Sequence, residues 1–315
     1  MIIKVSVLKL SLIAILIGIG LADFNTARAV TLSPPRLELS GDSGSTVNST
    51  VKIINDEKVE RTFYLSSAEF RSKGETGDPE FVNDNSGIVS WMEFAPSVTI
   101  SAQQSLEVPL RIRIPQNAKP GGYFAAVFAS LLPPTPGSGE VALRSDVGTL
   151  ILFRVNGDFP NEETILEFGT KDNRKLFNQL PVEFYYRFQN SGADRTLPLG
   201  DITVRNMLGQ VTKIIEANKS GGNVLPESTR RFDVAWSTAG GKEVEENYNP
   251  VVQPEFKSFW DAVRYQTSNF ALGRYTADLE LTVNKDSSRS YSKSLSFWVL
   301  PWQLLLVIFV AIVVF

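Results

Sequence analysis

The chain contains no His and no Cys. Without them there is no imidazole base, no thiol nucleophile and no nitrogen or sulfur ligand set for zinc or copper, so chemistry would have to come from carboxylates, hydroxyls, phenols or amines. The acids gather at Asp56-Glu57, at Glu162-Glu163 and at Glu243 with Glu245-Glu246. Each group sits in turn-like sequence, where a solvated charge is the ordinary outcome. Asp78-Pro79-Glu80-Phe81-Val82-Asn83-Asp84 offers oxygen ligands, but its spacing departs from the D-x-D-x-D-G order of a calcium loop. Neither a G-x-S-x-G elbow nor a glycine-rich phosphate loop occurs. The residues point to binding without a cofactor; a carboxylate-only hydrolase stays open if two acids face each other across a cleft. A net charge of −3 argues against a nucleic-acid partner, which asks for a strongly basic face.

The elements that must carry these residues alternate with period two and are separated by turn residues, the pattern of an all-β chain. Ser33-Pro34-Pro35-Arg36-Leu37-Glu38-Leu39 reads as an edge strand opened by prolines, and Thr46 to Asn55 as its successor. Leu106 to Ile114 puts five aliphatic residues on one face and Glu107, Pro109, Arg111 and Arg113 on the other. Tyr123 to Phe128 is apolar on both faces, as a central strand should be. Arg71 to Gly87 is a connection of about 17 residues, longer than a compact domain needs. It is a candidate binding loop, with Arg71, Asp78 and Asp84 as its polar residues, or else a plain surface excursion. Pro133 to Glu140, with Pro133, Pro136 and Glu140, is a second candidate, expected at the tip away from the following domain.

The same grammar resumes after Asn156-Gly157-Asp158-Phe159-Pro160, in Ile165 to Phe168, Val182 to Phe188, Ile202 to Val204, Val211 to Ile215, Arg231 to Trp236, Tyr275 to Asn284 and Tyr291 to Trp298. The expected fold is all-β, two tandem immunoglobulin-like β-sandwich domains over residues 30–157 and 158–298. An internal echo links them: Asn55 with Arg61-Thr62 recurs as Asn190 with Arg195-Thr196.

The ends predict export and anchoring. Lys4 and Lys9, the apolar run Leu10 to Leu21 and Ala27-Arg28-Ala29 have the layout of a signal peptide over residues 1–29, with an uncleaved anchor as the competing reading. The run from Phe297 to Phe315 would give about 28 Å of helix at 1.5 Å per residue, close to the ~30 Å hydrocarbon thickness of a bilayer. This predicts a transmembrane helix over 299–315, a single-pass chain with its ectodomain on the extracytoplasmic side, and Trp298 and Trp302 in an aromatic belt, with a buried C-terminal strand or helix as the competing reading. Between Pro254 and Gly273, Phe256, Phe259, Trp260 and Val263 recur at helical spacing. Strand direction puts that helix at the membrane-proximal end. It is expected either to cap the open end of the sandwich or to rest on headgroups, which makes Phe256, Phe259, Trp260, Trp298 and Trp302 candidate membrane-interface residues.

Leu32-Ser33-Pro34 near the mature start, Asn55 closing the second strand, and Ile114-Pro115 followed by Pro120-Gly121-Gly122-Tyr123 resemble the exported domain of WxL-interacting proteins of Gram-positive bacteria. That resemblance implies a peptidoglycan-binding first domain, a second immunoglobulin-like domain and a C-terminal transmembrane helix. The first domain is also similar to periplasmic pilus chaperones, which begin with a proline-flanked strand holding an Arg, here Arg36. Two functions follow as expectations: a surface-exposed scaffold engaging a cell-wall polymer or an envelope protein, or a chaperone-like module that assists exported subunits by strand addition.

Overall fold

The computed structural model of the chain describes residues 30–82, 87–133, 147–237 and 254–314. The signal-peptide reading over 1–29, the candidate residues Asp84, Pro136 and Glu140, and the acids at 243–246 lie outside the described residues.

Two β-sandwiches follow one another. The first contains β1 (Val30–Ser33), β2 (Arg36–Gly41), β3 (Thr46–Asn55), β4 (Arg61–Ser72), β5 (Pro79–Val82), β6 (Met92–Glu93), β7 (Ser97–Ile100), β8 (Ser105–Arg113), β9 (Gly121–Ser130) and β10 (Val147–Val155). One sheet runs β1-β3-β8-β6; the other runs β2-β10-β9-β4-β5, with β7 also on β4. The alternation of β3 and β8 does what the sequence asks: Val51, Ile53, Val108, Leu110 and Ile112 are buried. In β9, Ala125 to Ala129 are buried without interruption, because the strand lies between β10 and β4 and is covered on both faces. The proline pair explains the split between β1 and β2. Pro34 and Pro35 cannot donate to a ladder, so the chain leaves β3, which β1 pairs antiparallel, and crosses to β10, which β2 pairs parallel.

The second sandwich contains β11 (Glu163–Thr170), β12 (Leu176–Phe177), β13 (Val182–Asn190), β14 (Pro198–Arg205), β15 (Val211–Glu216), β16 (Ser228–Trp236), β17 (Gly273–Val283) and β18 (Asp286–Val299). Its sheets are β11-β13-β16 and β12-β18-β17-β14-β15. Its core is aromatic: Phe184, Tyr186, Phe188 and Phe297 are fully buried and Trp236 nearly so. The echo of the sequence has a structural meaning here. Asn55 and Asn190 are both fully buried at the ends of β3 and β13. Each donates from its amide to the carbonyl four residues on, Val59 or Asp194, and to a distant segment, Asn55 to Ile100 and Ser101 and Asn190 to Val224. Each accepts, through its side-chain oxygen, the backbone N–H two residues on.

The membrane anchor is corrected. Phe297 and Val299, the start of the expected span, belong to β18 and are buried in the core. Pro301 follows, and helix α2 runs only from Trp302 to Val314, 13 residues, or about 20 Å. No described helix is long and apolar enough to cross a membrane, so the expected single-pass anchorage falls. The first three residues of the apolar run, Phe297 to Val299, belong to the sheet, and Pro301 separates them from the helix. The upstream helix also differs: α1 is Phe259–Ser268, capped by the Ser258 hydroxyl accepting from Asp261 N–H at 3.2 Å. Phe256 lies outside it, and the buried residues are Ala262, Val263 and Gln266, whereas Phe259 and Trp260 are exposed.

Candidate functional site

The most distinctive constellation lies where the two sandwiches meet. The connection after Arg71 is a β4–β5 hairpin whose turn reaches the second sandwich. Arg231 N–H on β16 donates to the Glu75 carbonyl at 2.9 Å, and Arg187 on β13 donates to both Glu75 carboxylate oxygens, at 2.9 and 2.5 Å. The Arg187 guanidinium holds the Glu75 carboxyl below its ordinary value. Of the sequence candidates, Arg71 pairs with Glu80 within the hairpin at 2.7 Å and is exposed, Asp78 faces the cleft described below, and Pro133 is exposed far along the chain beside the undescribed segment. The hairpin thus brings Asp78, but not Arg71 or Pro133, to the site.

A second tie uses the beginning of β9 and the end of β10. Arg154 forms an ion pair with Asp194, whose side chain is 2% exposed, and Arg195 reaches Glu38 on β2 at 3.1 Å. Gly122 N–H donates to Ala193 carbonyl at 2.8 Å. Gly121 has φ +137°, and a Cβ there would stand 2.8 Å from that carbonyl oxygen, so both backbone angle and contact require glycine.

Between these ties lies a cleft of about 190 Å³, lined by Arg36, Phe70, Asp78, Leu150, Leu152 and Arg230 with the 220–225 turn. Arg230 is the unusual group. Its guanidinium is held between Gly77 and Gly222, where an added Cβ would come within 2.3 and 2.6 Å of Cζ. Nη1 donates to Asn223 carbonyl at 3.0 Å, Cζ lies 5.1 Å from the Phe232 ring centroid, and the buried Nε has no partner. Burial pushes this guanidinium below its ordinary value, against the nearby Tyr186 and Asp78. A desolvated cation facing a cleft favours an anionic group entering from outside.

The cleft adjoins an open sheet edge. In the six-stranded sheet, β2 covers β10 only from Leu150 to Val155. Above that register the chain crosses to the other sheet; the Pro34 carbonyl still covers Thr149, which is buried and donates its hydroxyl to that oxygen at 2.9 Å, so among the described residues Val147 and Gly148 are the part of β10 with no strand paired on the outer side. Leu150 N–H turns outward to the Pro35 carbonyl; by the alternation of an extended strand, Gly148 N–H and C=O face the same side. Leu150 stands opposite Arg36, so this open stretch leads directly to the cleft. Sequence reading located Arg36 but missed Arg230, Glu75 and Asp194. No spacing marks them: Glu75 and Asp194 pair with arginines of the other sandwich, and Arg230 is packed against Gly77 of the first. Among the described residues, no group of three or more His, Cys, Asp or Glu could hold a metal ion.

No family model matches the chain, and no curated protein matches it. Among solved structures, it is similar to a class 5 fimbriae chaperone, CfaA, at 11% identity over 84% of this chain and 98% of that one, with a TM-score of 0.41. It is also similar to the CupB2 chaperone of Pseudomonas aeruginosa, at 8% identity over 85% and 100% with a TM-score of 0.35. A third is a chaperone–tip subunit pre-assembly complex of Csu pili from Acinetobacter baumannii, at 11% over 65% and 89% with a TM-score of 0.36. Likenesses this distant carry nothing about ligand or activity.

Proposed function

We propose that this chain is a non-enzymatic binding module that takes an extended segment of another exported protein as an added strand on the outer edge of β10. The observation that carries the reading is the unpaired edge at Val147 and Gly148, close to the arginine-lined cleft. Edge addition supplies main-chain hydrogen bonds without demanding a particular sequence, and pockets beside the edge supply selectivity. A strand laid along Val147 and Gly148 ends beside Arg36, whose exposed guanidinium meets Glu38 at 3.2 Å through Nε and keeps further N–H donors; these and the underpartnered Arg230 favour a carboxylate there, with Phe70, Leu150 and Leu152 for an apolar neighbour. The ties at Glu75 and Asp194 support a cleft held in one shape before the partner arrives, which lowers the ordering cost of binding.

The test is photo-crosslinking from position 147 in the full chain within an exporting host. Partner polypeptides should be captured there, and Arg36→Glu should reduce capture about tenfold or more, the scale of removing one charged contact. Equal capture by the variant would remove Arg36 from the site, and no polypeptide captured at position 147 would end the strand-addition reading.

A further inference from the structure

We infer that the end of the second sandwich remote from the first is a docking surface for an anionic lipid membrane. β13 runs from Val182 at this end toward Asn190 beside the first sandwich, so the two surfaces lie at opposite ends of one domain. The inference is independent of strand addition and uses residues that reading does not.

The turn after β14 presents Met207 and Leu208, 63% and 76% exposed. It lies against the start of β17, where a Cβ on Gly273 would meet the Met207 methyl. Next to it, Trp298 stands opposite Arg274 in the β17–β18 ladder, and Phe270 leads from α1 into β17; both rings are about half exposed. The rings of Trp260, Phe259 and Trp302 continue the surface, with centroids 5.6 and 6.2 Å apart in succession. Sequence alone suggested Phe256, Phe259, Trp260, Trp298 and Trp302; the fold adds Phe270 and, from a turn more than 50 residues before it in the chain, Met207 and Leu208.

Helix α2 rises from this surface, and its composition selects the occupant. Leu306, Ile308, Phe309, Val310, Ile312, Val313 and Val314 are all exposed, and at 100° per residue they point in every direction round the axis. A second copy of the chain, or any folded partner, would cover one side and leave the others in water, whereas acyl chains cover all sides. The polar side chain in its first turn is already satisfied: Gln303 accepts from Gln266 Nε2 at 2.6 Å, and Leu304 N–H donates to Gln266 Oε1 at 3.0 Å. Gln266 is buried and fixes α2 to α1. Charge completes the match. Lys175, Lys257, Arg264 and Arg274 are exposed near this end with no carboxylate partner among the described residues, against Asp172, Glu255 and Asp261. Aromatic rings at headgroup depth with cations beside them are what an anionic lipid interface accommodates. At about 20 Å the described helix is long enough to reach into such a layer.

The test uses the full chain with vesicles of phosphatidylcholine alone and of phosphatidylcholine with phosphatidylglycerol, scored by co-sedimentation and by quenching of tryptophan fluorescence with brominated acyl chains. Binding should favour the phosphatidylglycerol vesicles and should quench the exposed tryptophans. Met207→Asp with Leu208→Asp, at exposed turn positions, should weaken it roughly tenfold or more. Undiminished binding by that variant would overturn the proposed surface, and equal binding to both vesicles would overturn its anionic character. A chain that dimerises and ignores vesicles would assign the surface to a second copy and refute the lipid reading.

Discussion

The second sandwich has two ends of opposite chemistry. Toward the first sandwich it presents charges that, Arg230 apart, are already answered: Arg187 meets Glu75, Asp194 meets Arg154, and Arg195 meets Glu38. At the other end it presents rings and aliphatic chains whose outer faces are exposed. The difference teaches how to read the two surfaces. Paired charges with fixed geometry set the orientation of one domain on another and add modestly to stability, while unanswered apolar surface is what a partner must still cover.

Breaking the answered end should matter most where burial is deepest. Asp194→Ala leaves Arg154 and the largely buried Arg195 facing a missing carboxylate, and should cost about 3 kcal/mol in denaturant unfolding. Next come the asparagine corners. Asn190→Ala removes the amide's bonds to the Asp194 and Val224 carbonyls and the acceptor of Gly192 N–H, and Asn55→Ala removes those to the Val59, Ile100 and Ser101 carbonyls and the acceptor of Glu57 N–H. Each should cost about 2 kcal/mol, and losses that differed widely would break the equivalence of the two sandwiches.

Glu75→Gln should cost well under 1 kcal/mol in stability, because its ion pair is more than a third exposed. The sign of its pH dependence is fixed. Since Arg187 lowers the folded-state value, the contribution is present above the ordinary 4.5 and is lost as the pH falls through the lower folded value. In the glutamine variant that part of the acid sensitivity should vanish. At the apolar end, Leu208→Asp should change unfolding by no more than about 0.5 kcal/mol, because Leu208 packs against nothing that unfolding would expose. A large loss there would mean that the turn is structural.

Much of the sandwich architecture was legible because each strand carries its own pattern. Leu106 to Ile114 and Val182 to Phe188 alternate, and both form strands on a buried face. The short echo of Asn55 in Asn190 marked a repeated buried corner that only the hydrogen bonds explain. The C-terminal run misled for a physical reason: a buried aromatic strand and the start of a membrane helix share composition, and only its pairing with β17 assigns Phe297 to the core. The cleft was illegible because it is made by contacts between distant segments. Gly77 looks like any turn glycine until Arg230 is found against it, and Arg36 gains meaning only from its place opposite Leu150.

The central claim is that the β10 edge receives a strand. Amide hydrogen exchange on the full chain, free and bound to a polypeptide captured at position 147, tests it most directly. Gly148 N–H, which faces the open side, should become strongly protected in the complex, while the β16 amide of Arg231, already bonded to Glu75, should change little. A complex in which Gly148 exchanges as fast as in the free chain, with protection gained elsewhere, would contradict the account.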